Sequence, residues 1–113
     1  MLVVEDNAAL AFDIDDALSD NGVEVVGPAL DFDTGLALAN ENELDGAVLD
    51  IDIAGQPVWP IARVLKRDGV PFVFVSADCH HGLPSDLHGA LCVDKPAPTE
   101  SILTSVSAAI AER

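Results

Sequence analysis

Basic residues are the scarcest charged class in this 113-residue chain: five Lys and Arg face twenty Asp and Glu, for a net charge of −15. That balance argues against a nucleic-acid surface, which needs clustered cations. It also argues against docking on an acidic membrane. No apolar run approaches the ~20 residues of a membrane span, and no basic, apolar, small-residue signal opens the chain. A cytoplasmic protein is therefore expected. With only two cysteines and no secretion signal, free thiols are the expected state. Cys79, His80, His81 and His88 have zinc-binding chemistry, but their spacing matches no zinc pattern, and a plain polar loop is the simpler reading.

Half of the residues are apolar, so disorder is not expected. The length suits one domain with one core, spanning 1–113. The apolar residues fall into short continuous runs, the signature of strands buried on both faces. Leu2-Val3-Val4 ends in Glu5-Asp6. Ala47-Val48-Leu49 ends in Asp50-Ile51-Asp52. Val70 to Val75 ends in Ser76-Ala77, and Leu91-Cys92-Val93 leads into Asp94-Lys95-Pro96. A further strand is expected over Val23–Gly27.

Between these runs the apolar spacing is helical. The first helix is expected over Ala8–Asn21, with Leu10, Ile14, Ala17 and Leu18 inward and Asp13, Asp15, Asp16 and Asp20 outward. A second, of weaker pattern, covers Thr34–Glu41, with Leu36, Ala39 and Asn40 inward. A third covers Val58–Arg67, with Pro60 in its first turn and Arg63, Lys66 and Arg67 at its end. The last starts near Pro98-Thr99 and turns Ile102, Leu103, Val106, Ala109 and Ile110 inward, leaving the small residues Ser105 and Ala108 outward. Asp78–Ala90 has two glycines, a proline and few apolar residues, so a helix there is expected to be short or degraded. Alternating strands and helices imply an α/β fold, a doubly wound five-stranded parallel sheet.

In such sheets ligands bind outside the carboxyl ends of the strands. Those ends deliver Glu5, Asp6, Asp50, Ser76 and Lys95 to one edge. Two like charges ~4 Å apart repel by about 4 kcal/mol at an effective dielectric of 20, so three carboxylates together call for a cation. Hard divalent ions such as Mg²⁺ take carboxylate, water and phosphate oxygens. A carboxylate can also act as nucleophile toward phosphorus. Lys95 stands apart from the other cations, since Arg63, Lys66 and Arg67 share a helix and Arg113 ends the chain.

This order of motifs resembles the receiver domain of two-component response regulators, over Leu2 to Ala111. The resemblance rests on Leu2-Val3-Val4-Glu5-Asp6, Leu49-Asp50-Ile51-Asp52, Phe74-Val75-Ser76-Ala77 and Asp94-Lys95-Pro96. It implies a flavodoxin-like receiver fold in which Asp50 accepts a phosphoryl group. Mg²⁺ would be held by Glu5, Asp6, Asp50 and the backbone carbonyl of Asp52. Ser76 would hydrogen-bond the phosphoryl group and Lys95 would pair with it, next to a cis Lys95-Pro96 bond. The implied partner is a sensor histidine kinase or a histidine phosphotransfer protein. The implied chemistry is self-phosphorylation and self-dephosphorylation in a signalling domain, not turnover of a free substrate. A monomer or weak homodimer is expected.

Two positions depart from the family. Cys92 and Ala97 stand where many receivers carry aromatic residues, which puts the usual aromatic switch in doubt. Two other functions fit parts of the sequence. Asp50-Ile51-Asp52 is similar to the Asp-x-Asp signature of haloacid-dehalogenase-like phosphatases, but that motif ends a first strand and needs later acidic pairs, which are missing here. A receiver-fold interaction domain that is never phosphorylated is the other.

Overall fold

The computed structural model describes residues 1–79 and 82–111. Its elements in chain order are β1 (Leu2–Val4), α1 (Ala8–Asp20), β2 (Val26–Ala29), α2 (Phe32–Glu41), β3 (Ala47–Asp50), β4 (Asp52–Ile53), β5 (Gln56–Pro57), α3 (Trp59–Arg67), β6 (Phe72–Ser76), β7 (Leu91–Asp94) and α4 (Thr99–Ala111). Five strands form one parallel sheet in the order β2-β1-β3-β6-β7. This is the expected doubly wound sheet, and its order places a topological switch point between β1 and β3.

Strand alternation divides the core into two layers. Leu2, Val4, Leu49 and Phe74 face a cluster completed by Ala39 of α2 and Ile61, Ala62 and Leu65 of α3. Val3, Val48, Val73 and Val75 face the opposite cluster, completed by Ile14 and Leu18 of α1 and Ile102 and Val106 of α4. Both faces are covered, which is why the strands read as unbroken apolar runs. Gly35 lets α2 approach β1: a Cβ there would lie 3.0 Å from Val4 Cγ1 and 3.1 Å from Ile61 Cδ1. Asn7 and Asp31 cap α1 and α2, accepting the backbone N–H of Leu10 and Thr34.

Several local expectations are corrected. The second strand lies at Val26–Ala29 rather than Val23–Gly27. It contains Pro28, joined to Gly27 by a cis bond, and tolerates it because β2 is an edge strand. Asn40 is exposed, its amide donating to the Leu36 carbonyl instead of entering the core. Asp15 is half-buried and accepts the Ser19 hydroxyl, while Asp13, Asp16 and Asp20 are exposed. Ser105 is half-buried, and Ala108 is exposed.

The connection from β6 to β7 has a single 3₁₀ turn, Ser85–Leu87, in place of a full helix. Leu87 plugs the core. Arg63 of α3 forks onto Asp86, with Nε–Oδ2 at 3.0 Å and Nη2–Oδ1 at 3.3 Å, and Lys66 donates to the Asp86 carbonyl. Two cations of α3 thus clasp this segment from outside.

Candidate phosphoacceptor site

Asp50 ends β3, the central strand, and is buried with 7% of its surface exposed. Glu5 follows β1 directly and is 2% exposed. Asp6 is exposed beside them. One carboxylate oxygen from each of the three lies within 4.8 Å of the other two. Lys95 reaches in from beyond β7, its Nζ 2.9 Å from Glu5 Oε1 and 3.3 Å from Asp50 Oδ2. The Lys95-Pro96 bond is cis, as the sequence resemblance implied, and the Lys95 N–H donates to the Ser76 carbonyl at 2.7 Å.

Electrostatics follow from this crowding. Burial and the hydrogen bond to Asp50 push Glu5 up to about 8, against the opposing pull of Lys95. Burial alone lowers the Lys95 ammonium, but Glu5 and Asp50 outweigh it and raise its pKa. The three acidic side chains supply only hard oxygen donors, the set that a small divalent cation accepts.

The loop after Asp50 holds an unexpected β-hairpin. Asp52 pairs with Pro57 and Ile53 with Gln56, antiparallel. The two turn residues, Ala54 and Gly55, both have positive φ (52° and 88°), as a two-residue hairpin turn of the primed kind demands. The Asp52 carboxylate accepts the Gly55 N–H at 2.8 Å, and Asp6 Oδ2 accepts the Ala54 N–H at 2.8 Å. Pro57, opposite Asp52, has no N–H to give to its carbonyl.

Ser76 ends β6, opposite Asp94 and next in chain to Val75, which pairs with Asp50. Its hydroxyl accepts the Asp78 N–H at 3.1 Å. The fold therefore gathers Glu5, Asp6, Asp50 and Lys95 into one cluster and brings Ser76 to the same sheet edge. The carboxylate of Asp52 is turned into the hairpin.

The free-thiol expectation is overturned: Cys79 and Cys92 form a disulfide, Cα–Cα 5.7 Å. β7 lies beside β6 with Phe74 opposite Cys92, and the chain past Ser76 turns toward that strand, where the Cys79 N–H donates to Asp94 Oδ1 at 3.2 Å. Parallel pairing, which spacing along the chain does not reveal, makes the two cysteines neighbours. It also removes Cys79 as a zinc ligand. His88 Nε2 lies 2.8 Å from the Leu83 carbonyl, and His80 and His81 lie outside the described residues, as does Arg113.

No protein-family model matches the sequence, and neither does any curated protein. Solved structures do match, and they define the class: the chain has the receiver fold of response regulators. One is SdrG from Sphingomonas melonis Fr1, with 25% identity, TM-score 0.81, and coverage of 97% of this chain and 93% of that one. A response regulator receiver protein from Sinorhizobium medicae WSM419 has 24% identity, TM-score 0.81, and coverage of 97% and 92%. A response regulator protein from Burkholderia pseudomallei has 22% identity, TM-score 0.80, and coverage of 98% and 68%. Its structure contains a phosphorylated aspartic acid, a calcium ion and citrate. Among the described residues, no helix is long and apolar enough to cross a membrane.

Proposed function

We propose that this chain is a phosphoacceptor receiver in a two-component phosphorelay, with Asp50 as the acceptor. The observation that carries the reading is the cluster itself: three carboxylates with oxygens within 4.8 Å of one another, and one lysine 3.3 Å from the central acid. The donor would be a phosphohistidine, on a sensor histidine kinase or a histidine phosphotransfer protein. An Asp50 carboxylate oxygen attacks phosphorus, the N–P bond to the imidazole breaks, an acyl phosphate forms, and the imidazole nitrogen takes a proton. The reading carries with it a cytoplasmic location and a signalling rather than a metabolic role. With a net charge of −15, nucleic acid is not the direct partner.

Glu5, Asp6, Asp50 and the Asp52 backbone carbonyl would hold Mg²⁺, which when bound supplies the positive charge that lets an anionic nucleophile approach an anionic donor. Lys95 pairs with Asp50 before transfer and is placed to follow the new charge onto the phosphoryl oxygens. Ser76 would supply a hydroxyl donor, since accepting the Asp78 N–H leaves its own proton free. The hairpin after Asp50 fixes where the Asp52 carbonyl stands. The phosphorylated aspartic acid and divalent ion in the Burkholderia pseudomallei protein of the same fold support this assignment.

Intact mass after incubation with acetyl phosphate and Mg²⁺ tests the reading. One phosphoryl group is expected on the wild-type chain, with none on Asp50→Asn and none in EDTA. Stoichiometric labelling of Asp50→Asn would remove Asp50 from the role. Lack of turnover of p-nitrophenyl phosphate is expected, and steady turnover would favour a phosphatase.

A further inference from the structure

We propose that Cys79 and Cys92 form a reversible dithiol–disulfide switch that gates the response of this receiver to phosphorylation, an inference that rests on the phosphoacceptor reading above. The cross-link lies between the loop that follows Ser76 and the strand that leads to Lys95. Cys79 follows Ser76 by three residues, and Cys92 precedes Lys95 by three. The bond therefore joins the chain leaving the Ser76 hydroxyl to the strand that delivers Lys95. It also closes the segment of 13-residue separation that carries the 3₁₀ turn and Leu87.

The fold does not depend on this bond for its shape. β7 is held to β6 by a parallel ladder from Val73–Leu91 to Ser76–Asp94. The loops are joined independently by Lys95 N–H to the Ser76 carbonyl and by Cys79 N–H to Asp94. α4 and Leu87 complete the packing around them. Reduction thus leaves two thiols about a disulfide's distance apart on a framework that stays folded. A cytoplasmic chain has no standing use for a structural disulfide, because thiol pools there keep cysteines reduced, and the disulfides that do form there are transient or sensing. Cys92 is half-buried on an edge strand, while Cys79 is buried at 9% exposure. Cys92 is accordingly the sulfur that a small disulfide reaches first.

The exchange balances with a small-molecule disulfide of the glutathione class as oxidant. The Cys92 thiolate attacks one sulfur of that disulfide, forming a mixed disulfide and releasing one small thiolate. The Cys79 thiolate then attacks Cys92 Sγ and releases the second. Two electrons leave the protein pair and reduce the small disulfide. The two thiol protons end on the released thiolates.

Gating follows from what the phosphoryl group requires. The Ser76 hydroxyl accepts the Asp78 N–H and keeps its own proton to donate to the phosphoryl oxygen, so a Ser76 that turns toward the phosphoryl group draws residues 76–79 with it. With the disulfide closed, that shift drags β7 through Cys92. With the pair reduced, that covalent pull on β7 is gone. Cys92 occupies the position where many receivers carry a mobile aromatic residue, and here it is bonded rather than free to swing. The oxidised chain should accept a phosphoryl group and respond weakly, and the reduced chain should respond fully.

The test uses the whole chain in three forms: treated with oxidised glutathione, treated with a phosphine reductant, and as the Cys79→Ser/Cys92→Ser double variant. Alkylation and intact mass count the thiols. Hydrogen exchange of residues 82–90 is followed with and without beryllofluoride, a phosphoryl mimic. Oxidised glutathione is expected to close the pair, and the reductant to open it. Before any mimic is added, residues 82–90 should exchange about tenfold faster in the reduced chain. The mimic should alter their exchange in the reduced chain and the double variant, with little change in the oxidised chain. A pair that stays dithiol in oxidised glutathione overturns the proposal. So does equal exchange of residues 82–90 in the two redox states, or an equal response to the mimic. If Asp50 takes neither mimic nor phosphoryl group in any form, the phosphoacceptor reading falls and the gating falls with it. The thiol count and the exchange before the mimic then still show whether the pair is a redox-controlled tether.

Discussion

Asp6 Oδ2 accepts the backbone N–H of Ala54 at 2.8 Å, across 48 residues of sequence. A carboxylate of the acidic cluster at the end of β1 thus also holds the hairpin that follows Asp50. Ala54 needs that support. Its φ of 52° lies in the left-handed region, which costs a residue with a Cβ roughly 1–2 kcal/mol. The hairpin and the acidic cluster are therefore one mechanical unit, and perturbing either should be felt in the other.

Ala54→Gly should be neutral or stabilising by up to about 1 kcal/mol, because relief of the left-handed strain exceeds or matches the added freedom of the unfolded glycine. Asp6→Asn keeps an acceptor for the Ala54 N–H but removes a ligand charge. It should leave the fold intact and reduce stabilisation by Mg²⁺. For the wild type, a site filled at tenfold over Kd adds about 1.4 kcal/mol. Thermal melts in low salt, with and without millimolar Mg²⁺, check both.

Stability should fall as pH rises, through Glu5. Its folded pKa of about 8 stands above the ordinary 4.5. The folded state thus holds a proton that the unfolded chain has released. This contribution is complete below the unfolded value and disappears as pH passes through about 8. Melting temperatures measured across that window should decline, and Glu5→Gln should flatten the decline. Mg²⁺ bound by the acids would take the place of the proton as their partner and should make the slope shallower.

Lys95→Ala should separate phosphoryl acceptance from response. Asp50 keeps its nucleophilic oxygen, so acetyl phosphate should still label the variant in Mg²⁺. Lys95 alone among the charged groups described at the site links Glu5 and Asp50 to the end of β7, so beryllofluoride should shift far fewer resonances than in the reduced wild type. A full wild-type shift pattern would contradict this role.

Gly35→Ala should destabilise the protein although alanine is the better helix former by about 1 kcal/mol. The new Cβ would meet Val4 and Ile61 at 3.0–3.1 Å, and both belong to the tightly packed layer under α2. Overpacking of this kind costs typically 1–3 kcal/mol, leaving a net loss of roughly 1 kcal/mol. Urea denaturation with an unchanged m-value would check it.

The sheet and most of the site were legible because they rest on short-range pattern. Val3-Val4, Val48-Leu49 and Val73-Phe74-Val75 are buried on both faces and read as strands. Each delivers its polar residue at its end or directly past it. What escaped depends on geometry between strands. The edge position of β2 lets Pro28 sit inside a strand, and the valines at Val23 and Val25 start the expected strand three residues too early. The hairpin at Asp52–Pro57 has only two residues per strand, too few for any periodicity. The Cys79–Cys92 bond required the register of β6 against β7, while the free-thiol expectation drew on compartment chemistry, which carries no information about distance. Asn40 fell at a helical core position but found a backbone acceptor on its own helix.

The clasp on the β6–β7 connection has a consequence for conditions. Among the described contacts, that segment is fastened from outside by Arg63 and Lys66 on Asp86, all three at the surface. Pairs of this kind are screened over a Debye length of about 8 Å at physiological ionic strength. Attachment at Leu87 is apolar and insensitive to ions. Added salt should therefore loosen the outer half of the segment while the buried half stays seated, so that the ionic environment sets how firmly this edge of the sheet is held at rest.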